Sequence, residues 1–148
     1  MTTQYKPAGV IVMNGIVPTI GHQFLIDFAA DFMKSVGGLL HVVICSRSYE
    51  PIKGAVRFAA FREHYTKERF SGKITFYLHE DDEAPQNPSD HTNFWGIWRE
   101  IITNTVKKKI SYVFASEKYG ENLAASLGAE FVPCDISRAV LPVKGEHV

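Results

Sequence analysis

Five short apolar runs alternate with amphipathic segments along the chain, and this alternation restricts the fold more than any other feature. The runs lie at 9–13, 39–45, 74–78, 112–115 and 130–133. The segments between them, at 21–36, 54–70, 94–108 and 116–127, place apolar residues at helical spacing. Strands that alternate with helices form a parallel sheet with crossover connections. We therefore predict an α/β fold, a single doubly wound (Rossmann-like) five-stranded parallel sheet made by residues 1–148.

Composition narrows the class of protein. Hydrophobic residues make up 45% of the chain, as expected for a packed globular domain. Sixteen basic residues balance sixteen acidic ones, so we expect neither nucleic acid nor a membrane as a partner. No apolar run is long enough to span a bilayer and the first residues do not resemble a signal peptide, which favours a cytoplasmic location. Cys45 and Cys134 lack metal-type spacing and are expected to be buried free thiols.

The segment 14–22 follows the first strand with a turn that contains glycine and proline, and it opens the first helix. A helix N-terminus carries unsatisfied N–H donors and a partial positive charge, so phosphate is its natural ligand. An isolated histidine at the position of His22 would more often be structural, but the preceding turn favours a phosphate contact. The chain has no P-loop, no Gly-x-Gly-x-x-Gly motif and no nucleophile elbow.

The first strand, the turn and the Thr-x-Gly-His sequence at 19–22 resemble the nucleotide-binding loop of the nucleotidylyltransferase superfamily. The resemblance implies that Thr19 and His22 contact the phosphates of a nucleoside triphosphate and carry catalysis. It also implies a nucleotide-binding role for Gly21 and for the turn that precedes it. The turn residues concerned are Asn14, Gly15 and Ile16.

The segment after the second strand narrows the resemblance. The order Ser-Arg-x-x-Glu-Pro-Ile at 46–52, followed by Arg57, is similar to the nicotinamide-mononucleotide adenylyltransferase domain of NadR-type proteins. This resemblance implies that Arg47, Glu50 and Arg57 bind the mononucleotide substrate. Taken alone, the two arginines would more often be solvated surface charges.

The third segment carries both tryptophans of the chain and follows a long polar stretch at 79–92. Residues 93–98 resemble the helix start that packs near the pyridine ring in the NadR-type domain. An indole face can stack on a flat cationic ring, and Trp95 is the candidate for this role. Trp98 shares an apolar stripe with Ile101 and is expected in the core. The acidic residues at 80–83 are expected to form a solvated loop, with a magnesium or substrate contact as the less favoured alternative.

Two further segments agree with the NadR-type pattern. After the fourth strand, Ser116 is expected to bind the nucleotide or to cap a helix, two roles that can coexist. Tyr119 and Gly120 would shape the adenosine side of the cleft. Further on, the Asp-x-x-Arg at 135–138 matches the family pattern. Arg138 would contact a phosphate or ribose, or alternatively form a structural ion pair with Asp135.

The last family motif, Ile-Ser-Gly/Ala-Thr-x-x-Arg, is altered here. Lys144 stands where serine is expected and Glu146 where threonine is expected, and no position remains for the arginine. Lys144 would then be a substitute phosphate contact, as a point charge without the bidentate fork of arginine. Three explanations compete: a truncated chain, the use of another residue such as Lys53 or Lys118, and a loss of catalysis.

The resemblance implies adenylyl transfer from ATP to nicotinamide mononucleotide, giving NAD and pyrophosphate, with Mg²⁺ as the cofactor that accompanies ATP. The expected partners are therefore ATP, nicotinamide mononucleotide and NAD, and no residue is assigned as a protein metal ligand. A nicotinamide-nucleotide-binding homologue without turnover is one alternative. Another small adenylyltransferase, such as the pantetheine-phosphate type, is a second. The sequence leaves open the oligomeric state, a homo-oligomer included, and the choice between nicotinamide and nicotinate.

Overall fold

Strands and helices alternate along the chain in the computed structural model, which describes residues 6–13, 20–50, 52–65 and 73–134. A short 3-10 turn, Pro88–Asp90, lies in the long loop before the third helix. The strands are β1 Ala8–Met13, β2 Leu39–Ser46, β3 Ile74–Glu80, β4 Tyr112–Ala115 and β5 Glu130–Pro133. The helices are α1 Ile20–Ser35, α2 Gly54–His64, α3 Phe94–Val106 and α4 Tyr119–Leu127.

The five strands form one parallel sheet in the order β3-β2-β1-β4-β5. From β1 the chain moves outward through β2 to β3, and it then crosses back to β4 on the other side of β1. In the register of the central strands, Val10 lies beside His41 of β2 and Val113 of β4. The strand order therefore reverses between β1 and β4. The predicted doubly wound α/β fold with a five-stranded parallel sheet is confirmed.

Both faces of the sheet are buried, as the nearly continuous apolar sequence of β2 predicts. Ile11 and Val42 belong to a core cluster that includes Ile26 of α1. The residues next to them on the strands, Val10 and Val43, belong to a second cluster on the opposite face. Alternate strand residues belong to different clusters because neighbouring residues of a strand point to opposite sides of the sheet. All of these side chains are fully buried, so both faces of the sheet are covered.

Glycine ends the first helix, as the sequence predicts. Gly37 adopts a left-handed backbone with φ of 73°, and the N–H of Gly38 donates to the carbonyl of Met33 at 2.8 Å. Gly38 also lies so close to Pro7 that an added Cβ would be 2.3 Å from the Pro7 carbonyl oxygen. The turn therefore brings the start of β2 directly beside the start of β1.

Two predicted helix ends are wrong. The prediction of α2 as far as residue 70 fails because the helix ends at His64, where Tyr65 turns out of helical geometry and buries its ring in the core. Helix α3 ends at Val106, two residues earlier than predicted, because Lys107 adopts a left-handed backbone with φ of 57°. Within the described part of the chain, no helix combines the length and apolar character required to cross a bilayer.

Candidate functional site

A cavity of about 480 Å³ lies at the carboxyl ends of the strands. Met13 of β1, Ser46 of β2 and His79 of β3 contribute to its wall, together with Glu117 and Tyr119 beyond β4. In open α/β sheets this edge, near the reversal of strand order, is where ligands bind. The connecting segments after β2, β3 and β4 therefore meet here, as the sequence predicts.

Arg47 joins the segments that follow β2 and β3. Its Nη1 donates to the carbonyl oxygens of Asp81 and Asp82, each at 3.1 Å. The next residue strengthens the same connection, because the backbone N–H of Ser48 donates to Asp82 Oδ1 at 2.7 Å and its hydroxyl donates to Oδ2. The two hydrogen bonds from Ser48 lower the pKa of the Asp82 carboxyl below its usual value. Arg47 lines the cavity with its guanidinium held in place.

Glu50 and Arg57 lie together behind this wall. The Arg57 guanidinium is 1% exposed, forms an ion pair with Glu50 and also donates to the carbonyl of Cys45 at 3.3 Å. Glu50 in turn accepts the backbone N–H of Arg47 at 2.8 Å. Neither Glu50 nor Arg57 is among the described residues that line the cavity. The pair connects α2 to the turn that carries Arg47, which places it behind a candidate ligand contact.

Three aromatic side chains of α3 form one wall of the cavity. Phe94, Trp95 and Trp98 all line it, with the Phe94 and Trp95 rings edge to face at a centroid distance of 4.8 Å. Trp98 fixes its indole through a hydrogen bond from Nε1 to the carbonyl of Pro85 at 2.9 Å. Both indoles are partly buried against the core cluster of this face. The sequence analysis assigned Trp95 to the ligand and Trp98 to the core, whereas in the structure both residues line the cavity.

Tyr119 closes the cavity on the side of β4. Its hydroxyl donates to the carbonyl of Val12 at 3.2 Å, across the point where the strand order reverses. Burial of the hydroxyl, with a contribution from the charge of Glu117, raises the pKa of Tyr119 to about 12, so the phenol stays protonated. Cys45 also lines the cavity, and burial raises the pKa of its thiol to about 12, so it is a poor nucleophile.

Unlike Tyr119, Ser116 and Gly120 are not among the described residues that line the cavity. The expected capping role of Ser116 is wrong, because α4 begins at Tyr119 and Lys118 occupies its N-cap position without a side-chain cap. Gly120 is buried where a Cβ would lie 2.4 Å from the ring of Phe131. The absence of a side chain at Gly120 therefore allows α4 to pack closely on the sheet, next to the cavity wall rather than in it.

His22 lies in the first turn of α1, where its ring packs edge to face on Phe61 at a centroid distance of 5.8 Å. It is half-buried and is not among the described residues that line the cavity. Gly21 belongs to the same helical turn. The other residues proposed for the phosphates lie outside the described residues, and their roles stay predictions. They are Asn14, Gly15, Ile16, Thr19, Arg138 and Lys144.

His79 was not predicted as a site residue, although it lines the cavity. It lies near the carboxyl end of β3, where its Nε2 is 3.1 Å from Asp81 Oδ2 and its ring meets Trp98 edge to face at 6.5 Å. The available signal was the alternation of β3, in which the polar positions Tyr77 and His79 lie on either side of Leu78. The cavity thus brings together Arg47, Trp95 and Tyr119 of the predicted residues and adds His79, Asp81 and Trp98.

Comparisons with known proteins show that the fold is similar to that of solved NadR structures. No protein-family model matches the chain, and no curated protein matches it significantly. Among solved structures, the NadR protein in complex with NAD and AMP-PNP matches with a TM-score of 0.54 at 22% identity, over 90% of this chain. The NadR protein in complex with NR matches with a TM-score of 0.53 at 19% identity. The chain spans 40% of the length of each NadR chain, and over this part it shares the NadR fold.

Proposed function

We propose that the chain transfers the adenylyl group of ATP to nicotinamide mononucleotide, giving NAD and pyrophosphate. The observation that carries the proposal is the cavity at the carboxyl ends of a NadR-like sheet, with an aromatic wall at one end and a fixed arginine beside it. NadR structures contain NAD, an ATP analogue and NR. An aromatic wall next to a cation fits a nucleotide whose base is aromatic and whose phosphate is anionic.

The reaction needs no protein nucleophile. A phosphate oxygen of the mononucleotide would form a bond to the α-phosphorus of ATP while the bond to pyrophosphate breaks. The protein would therefore act by positioning the two nucleotides and stabilising the charge on the transferred and leaving groups. His22 and Thr19, at and before the N-terminus of α1, are the residues we assign to this charge, with Lys144 and Arg138 as further phosphate contacts.

Each end of the cavity would hold one nucleotide. Trp95 and Trp98 would stack on the cationic pyridine ring of the mononucleotide, and Arg47 would bind its phosphate. Glu50 and Arg57 would support Arg47 from behind. On the β4 side, Tyr119 would contact the adenosine of ATP, beside the segments that contain Ser116 and Gly120.

Mg²⁺ is part of the proposal as the ion that accompanies ATP. Triphosphate oxygens and water are its preferred ligands in such sites. Among the residues that the structure describes, no group of three or more histidine, cysteine or acidic side chains is arranged to hold a metal ion.

The test is NAD formation from ATP, Mg²⁺ and nicotinamide mononucleotide, measured beside calorimetric binding of the mononucleotide and of NAD. Turnover that falls sharply in His22→Ala, with mononucleotide affinity retained, supports the assigned roles. Binding without turnover contradicts the enzymatic proposal and favours a nucleotide-binding homologue. Turnover only with 4′-phosphopantetheine as acceptor favours a different adenylyltransferase. If the chain neither binds nor converts these nucleotides, the proposed function is refuted and only the shared fold remains.

A further inference from the structure

A histidine–aspartate pair lies at the aromatic end of the cavity, and the proposed transfer reaction does not use it. His79 and Asp81 both line the cavity, with His79 Nε2 3.1 Å from Asp81 Oδ2. Both side chains are only partly exposed, at 24% and 29%. The imidazole also lies edge to face with the ring of Trp98, so the pair lies beside the surface on which a flat ring would stack.

Asp81 holds its position through its own backbone and side chain. Its N–H donates to the carbonyl of Ser46 at 3.0 Å, and its carbonyl accepts from Arg47. Its Oδ1 accepts the N–H of Glu83 at 2.9 Å, and this hydrogen bond is the main reason that the pKa of the Asp81 carboxyl is lowered. The ionised carboxylate is thus fixed, and it orients the imidazole of His79.

The hydrogen bond between the two residues determines which ring nitrogen carries the proton. An ionised carboxylate only accepts hydrogen bonds, so His79 Nε2 must be the donor. In the neutral imidazole the other nitrogen, Nδ1, is then an acceptor. Among the described residues, no hydrogen bond to Nδ1 accompanies the one at Nε2. The pair therefore offers a ligand one acceptor, with a negative charge directly behind it.

We propose that His79, oriented by Asp81, selects the substituent of the pyridine ring by accepting a hydrogen bond from a carboxamide N–H. This inference rests on the proposed function and specifies the substrate within it. A carboxylate at the same place has no proton to donate, and it would face the charge of Asp81. Arg47 Nη1 already donates to the carbonyls of Asp81 and Asp82, so this nitrogen is engaged and does not donate to the substituent of the ring. Glu117, on the β4 side of the cavity, carries the same sign of charge as Asp81.

The test compares the affinities of nicotinamide mononucleotide and nicotinate mononucleotide by calorimetry at about pH 8. His79→Phe keeps an aromatic edge against Trp98 but removes the acceptor. We expect about tenfold weaker binding of the amide, as for the loss of one hydrogen bond, with little change for the acid. His79→Gln, which retains an acceptor, should recover part of the loss. Asp81→Asn should instead improve binding of the acid, because the negative charge is removed.

His64→Phe is the matched control, since His64 is exposed on α2 and is not among the residues of the cavity wall. Equal losses for both nucleotides in His79→Phe would mean that His79 only supports the wall, and this result would overturn the inference. Unchanged affinities would overturn it as well. If His79→Phe does not fold, the ratio of the two affinities in His79→Gln and Asp81→Asn decides. If the wild-type chain binds neither nucleotide, the proposed function itself is refuted. If the wild-type chain binds them but the variants leave the ratio of the two affinities unchanged, only the role of His79 is refuted.

Discussion

The ion pair between Glu50 and Arg57 gives the sharpest stability prediction. Arg57 is 1% exposed, so its charge depends on the carboxylate of Glu50 and the carbonyl of Cys45 among its partners. Removing one partner of a buried ion pair typically costs about 3–5 kcal/mol, because the other charge stays in a poorly solvated place. Glu50 is 21% exposed, which allows some water to reach the site, so we expect about 3 kcal/mol for Glu50→Ala.

Replacing Arg57 should lower the free energy of unfolding by less than replacing Glu50. Arg57→Met replaces the buried guanidinium by an apolar chain and removes its desolvation penalty, while Glu50 can be hydrated from the exposed side. We expect a loss of about 1–2 kcal/mol from the hydrogen bonds that disappear. In the double variant no buried charge is left alone, so its loss should be smaller than the sum of the two by about 2 kcal/mol.

Urea unfolding followed by circular dichroism measures all three variants. Glu100→Ala is the control, because Glu100 is exposed on α3 and such substitutions usually change stability by less than about 0.5 kcal/mol. A double variant whose loss equals the sum of the single losses would refute the reasoning, since it would mean that the buried charge does not depend on its partner. Glu50→Gln should lie between wild type and Glu50→Ala, because it retains the acceptor for the Arg47 N–H.

Three further predictions follow from other parts of the fold. Gly120→Val forces a side chain into the ring of Phe131 and should cost about 1–3 kcal/mol in urea unfolding, whereas Ala125→Val, exposed on the same helix, should cost well under half of this. Burial lowers the pKa of His41 below 6.5, so the unfolded chain takes up the proton first as the pH falls. The free energy of unfolding should therefore decrease below about pH 6.5, and His41→Phe should weaken this dependence. Trp95→Ala should weaken binding of nicotinamide mononucleotide in calorimetry before it affects turnover at saturating substrate, and an unchanged affinity would assign Trp95 to packing alone.

The fold could be predicted from the sequence because its signals are local. Each strand is a continuous apolar run and each helix a periodic one, and the parallel order follows from their alternation. The helix ends were less predictable, since they depend on single backbone conformations. Lys107 adopts positive φ although it is not a glycine, and Tyr65 leaves the α2 helix to bury its ring. Neither choice has a local sequence signal.

The candidate site was only partly predictable, because its polar network joins residues that are distant in sequence. Arg47 was found from its neighbours, but its bonds reach Asp81 and Asp82, 34 and 35 residues further on. The acidic stretch at 80–83 was expected to be a solvated loop, and Asp82 and Glu83 are exposed. Asp81, however, is a partly buried partner of His79. A pattern of charges in one segment cannot indicate which of them a distant arginine or histidine will fix.

Hydrogen bonds between described residues hold both sides of the cavity wall. On the side of β2 and β3, hydrogen bonds join Arg47 and Ser48 to the segment at 81–82, and Trp98 is bonded to Pro85. On the side of β4, the side-chain hydrogen bond from Tyr119 to Val12 adds to the backbone pairing of β1 with β4. Groups that are already fixed lose little conformational entropy when a ligand binds. The end of the cavity that we assign to the mononucleotide is therefore preorganised, and affinity there should depend on the aromatic wall and Arg47 rather than on the closure of a loop.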